Sequence, residues 1–282
     1  KGMERYLPWV LGKDKNAEDM PLWLVPDKKL SAADVINDMR DHYEGTPLAI
    51  DSTDIGGGIW QMPYRPTPLY YKVDGKTYFN ERPISTQQAS FVFVSQMRSW
   101  LPREVGGCFW FGNDDGNMVA FVPIYCSMTQ RPECFNAPGA DAITFSDRSA
   151  FWVCNWVSNM VYPRYSALFP DLKQVRDSLQ QSYFDQQAEI EAKAQTMEPA
   201  QMQKFLNDYS VNKAQQMLAR WKQLATYLIV RHNDMAVKPV DAQGRFLRSK
   251  YGFGKTVERP GYPQPFARRL VKEASDRYSK PE

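Results

Sequence analysis

Few residues in this sequence have the chemistry of a nucleophile, a general base or a soft metal ligand, and they are widely spaced. The four cysteines are Cys108, Cys126, Cys134 and Cys154, and the two histidines are His42 and His232. No two cysteines have the Cys-x-x-Cys spacing of zinc sites, so these residues do not predict a metal centre. No motif marks a strained nucleophile turn, so a histidine-based triad is not indicated either.

Cys126 and Cys134 leave two interpretations open. They could form a disulfide that closes a short loop if the protein works outside the cytoplasm. They could equally be free thiols in the core, where cysteine behaves as a small apolar residue. The sequence predicts no compartment that would decide between the two.

Two loops have compositions that suggest ion binding but lack the rest of a site. Gly56-Gly57-Gly58 has neither the strand-to-helix context nor the Lys-Ser/Thr of a nucleotide loop. The segment 113–117, Asn-Asp-Asp-Gly-Asn, has no acidic residue at the far ligand position of a calcium loop. We interpret the first as a flexible loop and the second as a hairpin turn, and we expect no cofactor and no metal.

One polar segment, residues 82–88, differs from its surroundings. It places Arg82, Ser85 and Thr86 between a predicted hairpin and a predicted buried strand. Polar groups at the start of a core strand must find hydrogen-bond partners or a ligand. Composition alone leaves both possibilities open: a satisfied edge of the fold, or a binding site.

The composition is that of a globular protein with a substantial core. The 282 residues are 43% hydrophobic and 24% charged, with a net charge of +3. A charge so close to zero gives no general argument for nucleic acid or an anionic membrane as a partner. No uninterrupted apolar run approaches the roughly eighteen residues that predict a membrane-spanning helix.

The elements that must position these residues are predominantly strands in the first half. Ser31 and Asp34 form a capping-box pattern that predicts a helix ending by Gly45. Residues 46–145 read as β structure, with one hairpin turning at Asp74-Gly75 and another at 113–117. Their strands are apolar on both faces, which predicts strands that are covered on two sides.

The second half of the sequence is predominantly helical. A core helix is predicted from Ser149 to Tyr162 within the helical region 146–235. Two long helices, Asp171 to about Gln195 and Glu198 to about Arg231, form a predicted hairpin around Thr196-Met197. The tail, residues 236–282, is predicted to be irregular with one short helix between Pro263 and Tyr278. We expect a single α+β domain over residues 1–282.

Several stretches between about residues 25 and 170 match one known family in register. They are Met39-Arg40-Asp41-His42-Tyr43-Glu44-Gly45-Thr46, Phe79-Asn80-Glu81-Arg82-Pro83-Ile84-Ser85-Thr86-Gln87-Gln88, Met97-Arg98-Ser99-Trp100-Leu101-Pro102, Trp110-Phe111-Gly112, Tyr125-Cys126, Pro132-Glu133-Cys134 and Ser149-Ala150-Phe151-Trp152. Together they resemble the bacterial dipeptidase family typified by dipeptidase A. Members of that family are cysteine hydrolases of the N-terminal-nucleophile (Ntn) superfamily.

The resemblance implies an αββα sandwich, in which two antiparallel sheets lie between helix layers, followed here by the long helical hairpin. It implies a cysteine at a processed N-terminus that attacks the peptide carbonyl, with its own α-amino group as the base. A dipeptide would be the substrate. Within the matching motif, we predict Arg82, Ser85 and Thr86 as substrate-binding residues, because a guanidinium can hold a carboxylate or steady a thiolate.

The chain departs from the family at its start, which is Lys1 rather than a cysteine. We interpret the sequence as the C-terminal part of a larger Ntn hydrolase, with the nucleophile on the remaining N-terminal half. This predicts that the chain alone is inactive and presents unpaired strand edges and a bare apolar face. The partners we expect are a dipeptide and the other half of the enzyme, with a homo-oligomer left open, but no nucleic acid.

Two alternatives remain open. A non-catalytic relative or peptide-binding module would keep the fold and cleave nothing. An acyl-amide hydrolase of the same superfamily would use the same nucleophile on a different substrate. A cysteine at a processable position upstream would separate the first alternative from the hydrolases.

Overall fold

The computed structural model describes residues 2–53, 57–252, 254–255 and 257–280. The helices are α1 (Leu7–Val10), α2 (Ala32–Asp38), α3 (Ile50–Thr53), α4 (Arg103–Gly106), α5 (Ala150–Val161), α6 (Tyr165–Ala194), α7 (Pro199–His232) and α8 (Gln264–Ala274). The strands are β1 (Tyr70–Val73), β2 (Lys76–Phe79), β3 (Phe91–Met97), β4 (Gly107–Asn113) and β5 (Val122–Tyr125). Antiparallel strands combined with long helices confirm the predicted α+β class.

The capping box predicted at Ser31 is present at the start of α2. The Ser31 hydroxyl accepts the Asp34 N–H at 3.1 Å, and the Asp34 carboxylate accepts the Ser31 N–H at 2.8 Å. The helix ends at Asp38, earlier than predicted. Tyr43 (φ 63°) and Gly45 (φ 74°) lie in the loop that follows, and their positive φ angles explain why the helix does not reach Gly45.

β1 and β2 form the first predicted hairpin as a separate two-stranded sheet. Asp74 and Gly75 connect them with φ angles of 49° and 78°, the pair of positive values that a tight two-residue turn requires. Both strands are exposed along their whole length. The hairpin therefore projects from the molecule.

The main sheet has the strand order β3-β4-β5, and all neighbours are antiparallel. Side chains alternate along β3 and β4, so that Val92, Val94, Cys108 and Trp110 point to one face and are buried. Helices α5 and α7 pack on this face. The buried face of the sheet and the helices form the hydrophobic core, with Trp110 and Trp221 among its largest members.

The opposite face of the main sheet carries a ladder of four phenylalanines, Phe91, Phe93, Phe109 and Phe111. The Phe93 and Phe109 rings stack with their centroids 4.4 Å apart, and those of Phe91 and Phe111 with 6.1 Å. Phe91 and Phe93 are 57% and 44% exposed. The sequence predicts strands covered on both faces, but in the part of the chain that the structure describes this face is largely open.

The second strand of the predicted second hairpin starts later than expected. The apolar run Val119-Ala120-Phe121-Val122 after the turn predicts a strand from residue 119, yet β5 begins at Val122. Their backbone groups bond side chains instead: the Val119 carbonyl accepts from Arg40, and the Phe121 N–H donates to Gln180. These contacts come from residues distant in sequence, so the local pattern does not contain them.

α6 and α7 form the predicted helical hairpin, with its turn at residues 195–198. α6 begins at Tyr165 rather than Asp171, because Pro170 is accommodated inside the helix at the loss of one backbone hydrogen bond. The tail contains isolated bridges at Val237↔Glu258, Val240↔Phe246 and Arg248↔Gly254, followed by the predicted short helix α8. Across the described residues, every helix is too short or too polar to cross a membrane.

Candidate functional site

Three stretches that are far apart in sequence meet at one place in the fold: residues 39–46, 79–88 and 110–117. The Ser85 N–H donates to the Asp41 carbonyl at 3.1 Å, which joins the first two stretches. Arg40 Nε donates to the Gly116 carbonyl at 3.2 Å, which joins the first and the third. A Cβ atom at Gly116 would lie only 2.7 Å from the Met39 carbonyl oxygen, so this close approach requires glycine.

The carboxylate of Asp115 is at the centre of the polar cluster that these stretches form. It accepts hydrogen bonds from the Ser85 hydroxyl and the Tyr162 hydroxyl, and from the Asn117 N–H at 3.2 Å. Asp115 is fully buried. Burial, together with the neighbouring Asp115 carboxylate, raises the pKa of Tyr162 well above its usual value, so the phenol stays protonated and able to donate.

Asp114, the neighbouring carboxyl group, is also fully buried but faces α5. It accepts hydrogen bonds from the Ser158 hydroxyl and from Asn155 Nδ2, the latter at 3.0 Å. Burial raises the pKa of Asp114 to about 7, and the adjacent Asp115 charge adds to the shift. The oxygen-rich segment predicted as a turn is thus held by hydroxyl and amide donors from helices.

α6 binds the turn through two side chains. Arg176 Nη1 donates to both the backbone carbonyl and Oδ1 of Asn117, each at 2.6 Å. Gln180 accepts the Phe121 N–H at 2.8 Å and donates to the Phe121 carbonyl at 3.2 Å. The geometry of the turn is therefore set by the helix that packs beside it.

A cleft of about 540 Å³ opens beside this cluster, between the loop after α2 and helix α6. Its charged lining residues are Arg40, Asp41, Glu44, Lys173, Arg176 and Asp177. Burial, together with repulsion from Arg176, lowers the pKa of Arg40 to about 9. In spite of burial, hydrogen bonds from His42 lower the pKa of Glu44 to about 2. The cleft thus presents fixed charges of both signs to a ligand.

The residues predicted to bind substrate are found in different environments. Arg82 is exposed in the loop after β2, whereas Ser85 and Thr86 are only 2% and 4% exposed. The Ser85 hydroxyl is bonded within the protein, to Asp115 and to the Asn117 N–H at 3.0 Å. None of the three lines the cleft, although Ser85 belongs to the cluster beside it.

Sequence reasoning missed the residues that line the cleft. Arg40, Asp41 and Glu44 lie in a stretch that carries the family resemblance, and this was the available signal. Lys173 and Arg176 lie on a highly charged helix, where basic residues usually face solvent. The sequence contained no sign that these two face the turn.

The four cysteines do not have the environment of an activated thiol. Cys108, Cys134 and Cys154 are buried, Cys126 is exposed, and all four are free. Burial raises the pKa of every one of them, that of Cys134 to about 12. A nucleophilic cysteine needs a lowered pKa, so the chain offers no prepared nucleophile of this type.

Both histidines have carboxylates as hydrogen-bond partners. His42 Nδ1 lies 3.1 Å from Glu44 Oε1, and His232 Nε2 lies 2.7 Å from Asp171 Oδ2. Neither histidine ring is hydrogen-bonded to a hydroxyl or thiol within the described residues.

The glycine segment 56–58 is described only in part, because Gly56 lies outside the described residues. A Cβ atom at Gly57 would approach the Asp51 Cα to 2.9 Å.

Comparison with known families identifies the chain. The model of peptidase family C69 matches residues 2–178, which include all three stretches that converge on the cleft and Arg176 on α6. The chain belongs to peptidase family C69. This is the family typified by dipeptidase A, so the resemblance is confirmed. No curated protein sequence matches the chain.

Membership in family C69 makes the chain part of a cysteine peptidase family and implies a peptide as substrate. The cluster around Asp115 and all charged lining residues of the adjoining cleft lie inside the matched segment, whereas the lining residues Gln180, Gln181 and Phe184 lie past its end. The second half of α6, all of α7 and the tail lie beyond it. The family relation therefore bears directly on the cleft and less on the second helix of the hairpin.

Proposed function

We propose that this chain is the C-terminal part of a cysteine dipeptidase whose nucleophile is supplied by polypeptide outside these 282 residues. One observation carries the proposal: a member of a cysteine peptidase family has four cysteines, and burial raises the pKa of each. Such thiols are poor nucleophiles at neutral pH. The cysteine that attacks the substrate is therefore a different residue.

The exposed face of the main sheet supports the proposal that another polypeptide packs against this chain. The ladder of Phe91, Phe93, Phe109 and Phe111 forms a continuous aromatic surface on β3 and β4. Soluble proteins rarely leave contiguous apolar patches of this kind uncovered. β3 is also an edge of its sheet, with backbone groups available for pairing. We propose that the cysteine-bearing polypeptide covers this face. The two parts would then form one domain, to which this chain contributes residues 1–282.

In the proposed reaction, the α-amino group of the N-terminal cysteine takes the thiol proton, and the sulfur forms a bond to the peptide carbonyl carbon. The C–N bond then breaks as the amino group returns the proton to the leaving amine. Water hydrolyses the resulting thioester and regenerates the thiol. This cycle needs no histidine, which agrees with the carboxylate partners of His42 and His232.

The three residues predicted to bind substrate take different parts in this proposal. Arg82 is exposed, and we propose that it contacts the cysteine-bearing polypeptide or the substrate in the assembled enzyme. Ser85 acts through Asp115, whose carboxylate accepts a hydrogen bond from the Ser85 hydroxyl. Thr86 is buried next to Ser85, and we propose that it helps to fix the position of the same loop. An Arg82→Ala variant of the assembled enzyme should lose catalytic efficiency, and an unchanged kcat/KM would remove this assignment.

The experiment that tests the proposal compares the chain alone with the chain produced together with the cysteine-bearing polypeptide. We expect no dipeptide hydrolysis by the chain alone and hydrolysis by the assembled protein. A Cys126→Ala variant should be as active as the parent in the assembly, because Cys126 is the exposed cysteine of this chain and has no catalytic part here. Turnover of a dipeptide by the purified chain alone would contradict the proposal.

The same assay separates the substrate classes. We expect dipeptides to be cleaved in preference to simple acyl amides. Preferential cleavage of acyl amides would instead make the assembly an amide hydrolase with the same nucleophile. Absence of any cleavage by the correctly assembled protein would make it a non-catalytic relative.

A further inference from the structure

Three cations in the cleft share a single carboxylate. Lys173 Nζ lies 2.5 Å from Asp177 Oδ2, and Arg176 Nη2 lies 2.7 Å from Asp177 Oδ1. The nearest contact of Arg40 Nη1 with the same carboxylate is 3.9 Å, beyond hydrogen-bonding distance. This end of the cleft therefore has an excess of positive charge that one aspartate does not balance.

Arg40 has a donor available in the cleft. It is only 8% exposed, and its Nε and Nη2 donate to the Gly116 and Val119 carbonyls and to Gln180. Its Nη1 makes no hydrogen bond within the described residues. A buried guanidinium normally uses all of its N–H groups, so the donor that Arg40 presents to the cleft is available to an oxygen atom of a ligand there.

The other charged lining residues of the cleft are two carboxyl groups, Asp41 and Glu44. Glu44 accepts the His42 N–H at 2.8 Å, and Asp41 accepts the Tyr43 N–H at 2.6 Å. Each of these bonds leaves oxygen lone pairs available. Glu44 keeps half of its side chain exposed. A pair of neighbouring carboxyl groups favours a cation between them, because the cation relieves their mutual repulsion.

We propose that this cleft binds both charged ends of a dipeptide, with Arg40, Lys173 and Arg176 around its carboxylate and Asp41 and Glu44 around its ammonium group. The inference rests on the proposed function for the class of ligand. The size agrees: a volume of about 540 Å³ is typical of small-molecule sites. The backbone of two residues spans roughly 7 Å, a length that a cavity of this volume can hold.

Recognition of both termini by one cleft gives a physical basis for selecting dipeptides. A longer peptide would place one terminus beyond the matching charges and leave one set of charges in the cleft without its partner. A blocked peptide would lose a charge-assisted hydrogen bond at the modified end. The cleft would thus measure the length of its ligand through two fixed sets of charges.

The test is calorimetric titration of the purified chain with alanyl-alanine, its N-acetyl form and its C-terminal amide. We expect the affinity for each modified form to be about tenfold lower than for the free dipeptide, since each modification removes one charged end. Lys173→Met should weaken binding of the free dipeptide about tenfold and leave binding of the amide nearly unchanged. Glu44→Gln should weaken binding of the free dipeptide about tenfold and leave binding of the N-acetyl form nearly unchanged.

Lys204→Met provides a matched control. Lys204 pairs with Asp208 at 2.6 Å on α7, in the same i, i+4 geometry as Lys173 with Asp177, but away from the cleft. Its substitution should leave the affinity unchanged. Lys173 is 55% exposed, so its replacement tests binding without the risk of unfolding that a change at buried Arg40 carries.

Three results would overturn the inference: no heat of binding with the free dipeptide, equal affinities for the free and modified forms, or equal effects of Lys173→Met and Lys204→Met. These measurements involve no peptide cleavage. A chain that binds dipeptides as expected while its assembly cleaves none would refute the proposed function and leave this inference intact. Cleavage by the assembly without charge-dependent binding would refute this inference and leave the proposed function intact.

Discussion

The carboxyl group of Asp114 shows how burial can make one residue sensitive to pH. It is fully buried, and its pKa is raised to about 7, whereas an unfolded chain gives it the ordinary value of about 3.9. Between these values the folded protein holds a proton that the unfolded chain releases. The contribution of Asp114 to the free energy of unfolding therefore falls as pH rises from about 4 to about 7, and it changes little above that range.

Asp114→Asn should remove this dependence. We expect the unfolding free energy of the wild-type chain, relative to this variant, to decrease by a few kcal/mol from pH 5 to pH 7.5, about 1.4 kcal/mol per pKa unit crossed. Urea denaturation at several pH values measures it. Asp74→Asn, in the exposed hairpin turn, is the control and should keep the wild-type pH dependence. A parallel pH profile for wild type and Asp114→Asn would contradict the expectation.

The residues of the site differ in how far the sequence predicted them. Ser85 was identified from its polar setting at the start of a core strand, and it is indeed part of the buried cluster. Asp114 and Asp115 were interpreted only as turn residues, because the donors that bond them come from α5 and from Tyr162. Contacts between elements distant in sequence decide such roles, and periodicity within one element cannot contain them.

At the scale of elements, the loop after β3 is joined to α6 by a buried ion pair. Arg98 Nη1 and Nη2 donate to the two carboxylate oxygens of Glu191 at 2.6 and 2.7 Å. The Tyr125 hydroxyl of β5 donates to the same carboxylate at 2.8 Å. Both charged side chains are only about a tenth exposed, at 11% and 10%. The helix is thus tied to two strands of the sheet at its C-terminal end.

Arg98→Met should destabilise the chain by about 3 kcal/mol, because it leaves the buried Glu191 carboxylate without its cationic partner. Denaturant unfolding at neutral pH measures the change. Arg103→Met, a substitution at an exposed position of α4, is the control and should cost less than about 0.5 kcal/mol. The double variant Arg98→Met/Glu191→Met should recover much of the loss, and failure to do so would argue against an unpaired charge as its cause.

Elements with a strong local signal were predicted well. The capping box at Ser31, the Asp74-Gly75 turn and the helical hairpin each depend on a few adjacent residues, and the structure contains all three. The boundaries of β5 and α6 were wrong by several residues. At β5, distant side chains hydrogen-bond the backbone of residues 119–121, and the local pattern does not contain these contacts. At α6, the helix accommodates Pro170, which the sequence alone favours as a boundary.

At the scale of the whole molecule, the aromatic face of the main sheet should control association. Removing the apolar side chains at Phe91 and Phe93, which are 57% and 44% exposed, should reduce attraction between uncovered faces. We expect the chain to self-associate at micromolar concentrations and the Phe91→Thr/Phe93→Thr variant to do so at least about tenfold less tightly. Sedimentation velocity over a concentration series measures this.

A Tyr71→Thr/Tyr78→Thr variant is the control for that experiment. These tyrosines stack on the exposed β1–β2 hairpin with centroids 5.8 Å apart, away from the main sheet. Their loss should leave the sedimentation behaviour unchanged. Threonine suits strand positions, so both variants are expected to keep their strands. A monomeric wild-type chain would show that this face needs no cover.

The length of α6 has a consequence for where this protein can be divided. The family match ends at residue 178, in the middle of a helix that continues without interruption to Ala194. Gln180, which bonds the Phe121 backbone, and Glu191, which bonds Arg98, both lie past that point. A polypeptide trimmed to the matched residues 2–178 would lose these side-chain contacts to the Phe121 backbone and to Arg98, so the segment that shows the family relation is shorter than the segment that this fold needs.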